Sequence, residues 1–165
     1  MNVIVKFIIK EKINDFINTI DRIKKEVQKM KKQQPIMEFK DLNQAEKYLK
    51  EWKERLFLNN WIIKVNFVDA NEMPEHQGCN NFSFVNKGSV INLVRLTDDM
   101  KTRIVKTCQE VTLVHELLHL KLNLIENADT YEGKLLEITE HALIEELARS
   151  LIMAKYNINS DWFLN

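Results

Sequence analysis

Residues 111–123 read VTLVHELLHLKLN. Valine and leucine fill most of this run, yet His115, Glu116 and His119 interrupt it on adjoining parts of one surface. On a helix, positions four apart lie one turn above each other on the same face. His115 and His119 can therefore aim ring nitrogens at one point, at the roughly 2.0–2.1 Å that zinc requires. Glu116 is turned about 100° from His115. That angle keeps it from sharing the point as a ligand and lets it reach a water held there. The pattern H-E-x-x-H thus supplies two metal ligands and one general base. Two plainer readings compete: a pair of hydrogen-bonded core histidines, and a closed zinc site with Glu116 idle.

The flanking sequence supplies a setting for such a helix. Thr97-Asp98-Asp99 caps a predicted helix over roughly 100–123. Before it, WIIKVNFV (61–68) alternates apolar and polar residues as a strand with one wet face. FSFVNKGSVINLVRL (82–96) reads as a hairpin turning at Asn86-Lys87-Gly88, and 69–81 reads as loop. After the motif, a polar connector over Asn127–Gly133 leads to a last helix over about 134–156. Upstream, Leu42, Ala45, Leu49, Trp52 and Leu56 mark a helix over 42–58 with Asp41 as its cap. Residues 9–33 carry an a/d seam of Ile9, Ile13, Phe16, Ile20, Ile23, Val27 and Met30, ended by Pro35. The predicted class is α+β: a small antiparallel sheet packed on the motif helix and a second C-terminal helix. Residues 1–40 form an N-terminal amphipathic helical segment, and 41–165 the domain that carries the motif.

Bulk composition narrows the function. The 165 residues suit one main domain, and 45% hydrophobic residues can fill a core. A formal net charge of +0 gives no basic excess for a nucleic-acid backbone. Lys6 and the Lys10-Glu11-Lys12 run break the apolar N-terminus, so neither a signal peptide nor a membrane span is expected. Cys79 and Cys108 are too few for a disulfide framework and read as free thiols of a cytoplasmic protein.

VTLVHELLHLKLN resembles the active-site helix of zincin metallopeptidases. Within them the chain looks like the compact gluzincin-like proteins of phages and mobile elements, related to the ImmA/IrrE type. The resemblance covers roughly residues 61–155 and leaves 1–40 without a counterpart. The extended metzincin motif is absent, because Leu122 and Ile125 stand where it needs glycine and histidine. The resemblance implies a Zn2+ cofactor, hydrolysis of peptide bonds in a protein or peptide substrate, and a third ligand from the next helix. It also implies that the strand nearest the motif helix takes the substrate along its edge, with SVINLVRL (89–96) the candidate.

The third ligand is to be sought among Glu137, Glu140, His141 and Glu145. A wheel that puts Leu136, Leu143, Leu147 and Leu151 on the inner face puts Glu140 among them, and a carboxylate there needs a cation. The family pattern favours His141, because Ala148 then supplies the small residue seven positions on, and Glu145 falls where it can orient a ligand histidine. Metal ligands are thus assigned to His115, His119 and His141, and the general base to Glu116. His76 and Cys79 are weaker candidates for an additional site. A second functional class keeps the zinc as a structural support and acts through the N-terminal helix, which could also pair two copies into a homodimer.

Overall fold

The chain divides between Gln34 and Pro35 into two compact units. The computed structural model describes residues 33–74, 76–102, 104–122 and 131–164. The helix expected over 9–33 and most of the connector at 127–133 lie outside the described residues. The second unit is α+β. Its elements run α1 (Leu42–Arg55), β1 (Ile62–Val68), β2 (Gly78–Ser83), β3 (Gly88–Val94), α2 (Asp98–Lys101), α3 (Gln109–Leu122), α4 (Tyr131–Tyr156) and a 3-10 turn, Ser160–Phe163.

Helix α1 forms as its spacing dictates. The Asp41 carboxylate accepts from Gln44 N at 2.8 Å, and Ala45, Leu49 and Trp52 are buried. The helix stops at Arg55 because Phe57 takes a left-handed φ of 54° and Leu58 N turns back to Lys53 O.

The sheet is mixed, not antiparallel as expected. Its order is β1-β3-β2, with β1 parallel to β3 and β2 antiparallel to it. β3 carries the most continuous apolar run, with Ile91, Leu93 and Val94 fully buried, so it occupies the centre. The 69–77 loop carries the chain across to the far edge, where β2 starts. The hairpin turns where expected, but its first strand takes Gly78–Asn81 from the stretch read as loop, and the left-handed residue of its turn is Lys87 (φ 47°) and not Gly88. One sheet face presents Ile63, Val65 and Phe67 from β1, Ser89, Ile91 and Leu93 from β3, and Gly78, Asn80 and Phe82 from β2.

The helix expected over 100–123 is two helices. Thr97 caps only the single turn of α2. The chain then extends so that Val105 bridges Leu164 and Lys106 N donates to Phe163 O at 2.8 Å. These bonds to the C-terminal tail compete with helix for the same backbone groups. When α3 starts, its first free N–H groups are met from outside: Gln109 N donates to Met37 O and Glu110 N to Ile36 O.

Helix α3 runs through the middle of the core. Val111, Leu113, Val114, Leu117, Leu118 and Leu120 are all buried. Beside them, Glu110 is fully buried and accepts from Ile36 N, Trp52 Nε1, Lys155 Nζ and the Tyr156 hydroxyl. That network joins the 36–39 stretch, α1, α3 and α4. Among the described residues no helix is long and apolar enough to cross a membrane.

Candidate metal centre

The leucine-rich helix carries its two histidines where it meets a cleft. His115 and His119 are half-buried at a cleft of about 820 Å³, and their Nε2 atoms stand 3.2 Å apart. Two nitrogens held tetrahedrally by one zinc at 2.0–2.1 Å stand about 3.3–3.4 Å apart, so the observed spacing suits a shared ion. His141 on α4 completes the group. One ligand-capable nitrogen from each of the three histidines lies within 4.8 Å of the others. The His141 ring is 4.7 Å from that of His119 and 5.7 Å from that of His115. Three neutral imidazoles are a donor set that zinc accepts.

The structure brings His141, not Glu140, to the two motif histidines. The leucine wheel that favoured Glu140 chose the wrong stripe. Leu143 and Leu147 are exposed, and the face packed inward is Ile144, Ala148 and Ile152. Glu140 is buried at the margin of that face, outside the histidine group. Ala148 is fully buried, as close packing of α4 on α3 requires.

Glu116 is 6% exposed and lines the same cleft. Burial pushes its carboxyl up to about 7, with His115 pulling the other way. Its room is made by Gly78 on β2. A Cβ there would lie 2.7 Å from Thr112 Cγ2, 3.2 Å from Asn92 O and 3.2 Å from Glu116 Oε1. One of only three glycines in the chain therefore sits where a side chain would crowd both Thr112 and the Glu116 carboxylate. Two residues on, Asn80 Nδ2 donates to Glu116 O at 2.7 Å and Asn80 Oδ1 accepts from Ser89 Oγ at 2.6 Å. These bonds fix β2 against the motif helix.

Burial, and then His115 and His141, push His119 down to about 4, so it is neutral and ready to ligate at neutral pH. Behind the cluster, His115 Nδ1 donates to Glu145 Oε2 at 3.2 Å. That bond, together with Arg149, holds the Glu145 carboxyl below its usual range despite burial.

Other candidates stand apart. SVINLVRL is the central strand, so the expected substrate edge cannot be there; β2 is the edge that lines the cleft, and among the described residues it pairs only with β3. Cys79 is a free thiol whose Sγ accepts from Asn92 Nδ2, on the sheet face opposite Gly78 and Asn80. His76 is exposed on the cleft wall, outside the histidine group. Sequence reading missed Gly78 and Asn80, although a glycine inside a strand is itself a sign of close approach.

Compared with known proteins, the chain matches no family model, no curated protein and no solved structure.

Proposed function

We propose that this chain is a metal-dependent peptidase, with His115, His119 and His141 as ligands for zinc and Glu116 as general base. The observation that carries the reading is the three-histidine group with a buried carboxylate beside it on the wall of one open cleft. When bound, such an ion supplies Lewis-acid polarisation and makes water acidic enough to attack at neutral pH. The chain's own residues do the rest. Glu116 takes a proton from the attacking water and delivers it to the leaving amine nitrogen as the C–N bond breaks. Gly78 and Asn80 keep that carboxylate and the neighbouring strand in register. The outer edge of β2, unpaired among the described residues, offers main-chain groups to an extended peptide lying along the cleft. Phe82 faces the same way and offers an apolar surface to a side chain.

Glu116→Gln separates an enzyme from a zinc-stabilised interaction protein. The variant should keep its metal and cleave unstructured peptide substrates about 10²–10⁴-fold more slowly than wild type. Equal cleavage by both proteins, or none by either across a broad peptide library, removes the peptidase reading.

A further inference from the structure

We propose that the C-terminal turn Ser160–Phe163 is a positioning element of the metal site, acting on His115 through Arg149 and Glu145. The inference rests on His115 being a ligand. The two oxygens of Glu145 divide their partners. Oε2 accepts from His115 Nδ1 at 3.2 Å, and Oε1 accepts from Arg149 Nε and Nη2, both at 2.7 Å. A carboxylate on Nδ1 selects the tautomer that leaves the Nε2 lone pair free, and it fixes the ring plane.

Alone, an i,i+4 ion pair on a helix, with side chains 35% and 40% exposed, would hold weakly. The tail stiffens it. The Arg149 guanidinium carbon lies 5.5 Å from the centroid of Phe163, a buried ring that covers one side of the cation. Phe163 is itself pinned. Lys106 N donates to its carbonyl, Lys106 Nζ donates to Trp162 O at 2.8 Å, and the Trp162 ring packs edge-on at 5.1 Å. Lys106 lies three residues before α3, the helix that carries His115. The tail, Arg149, Glu145 and His115 thus form a chain of contacts that leaves α3 at His115 and returns at Lys106, in the segment that leads into the same helix.

The test uses Arg149→Met and Phe163→Leu in the full chain, each shown by circular dichroism to keep the wild-type fold. Zinc affinity is measured by competition with a chelating dye. The His115 tautomer is read from ¹⁵N histidine shifts of metal-free protein at mildly alkaline pH. Arg149→Met should bind zinc about 10–100-fold more weakly, and its His115 should become a mixture of tautomers. Phe163→Leu should shift both readouts the same way and by less. An unchanged His115 tautomer in either folded variant, Arg149→Met or Phe163→Leu, overturns the proposal, whatever the zinc affinity. If wild type takes up no zinc, the peptidase reading falls, while the tautomer comparison still decides whether the tail positions His115.

Discussion

His119 shows how a single side chain reports on the site. Its pKa is held near 4 by burial and by two adjacent imidazoles. In metal-free protein His119 itself therefore binds fewer protons in the folded state than in the unfolded chain between about pH 4 and 6.5. The stabilising contribution of neutral His119 is complete above pH 6.5 and is lost as pH falls through that window. A histidine-selective NMR titration of metal-free protein should show one ring with a midpoint more than a unit below the ordinary value. Four histidines all titrating near 6.5 would mean that the rings do not crowd together. At this scale the sequence was informative where spacing alone decides geometry, as for His115, Glu116 and His119. It was ambiguous between Glu140 and His141, neighbours 100° apart on a helix with leucine on both flanks. Only the packing of Ile144, Ala148 and Ile152 shows which way that helix turns.

Between elements, the contact of β2 with α3 sets the shape of the cleft. Gly78 is there for space and not for backbone freedom, since no glycine in the described chain has positive φ. Gly78→Ala should cost about 1–3 kcal/mol in denaturant unfolding, because Thr112 Cγ2 and Asn92 O are short of room. The same change should slow peptide cleavage while zinc content stays at the wild-type level, because the new methyl presses on Glu116 Oε1. Wild-type stability together with wild-type cleavage would mean that β2 does not press on the carboxylate. Helix α1, the β2–β3 hairpin and α4 were readable from periodicity and turn residues. The parallel pairing of β1 with β3 was not, because alternation gives the faces of a strand and says nothing of its neighbours. The break at 102–108 was equally hidden, since a local pattern does not contain a bridge to a residue at position 164.

Across the whole molecule, the second unit is tied together by one buried carboxylate. Glu110 is fully buried, and Lys155, 7% exposed, donates to it at 2.8 Å while lying 4.6–5.0 Å from the rings of Tyr48, Trp52 and Tyr156. Lys155→Met removes the cation and leaves the buried carboxylate with fewer partners. The expected loss is about 3–5 kcal/mol in equilibrium denaturation, and a loss under about 1 kcal/mol would show the pair to be dispensable. The α+β class was legible from the order of elements, but Glu110 reads in sequence as an ordinary polar residue at the start of a helix. Its partners come from positions 36, 52, 155 and 156. The central claim concerns the three histidines gathered at the cleft, and metal analysis of protein purified without chelators tests it most directly. Wild type and Glu140→Ala should each carry about one zinc per chain, and His141→Ala should lose most of it. A wild-type protein that is free of metal and takes up no added zinc, or a His141→Ala protein that binds as tightly as wild type, would contradict it.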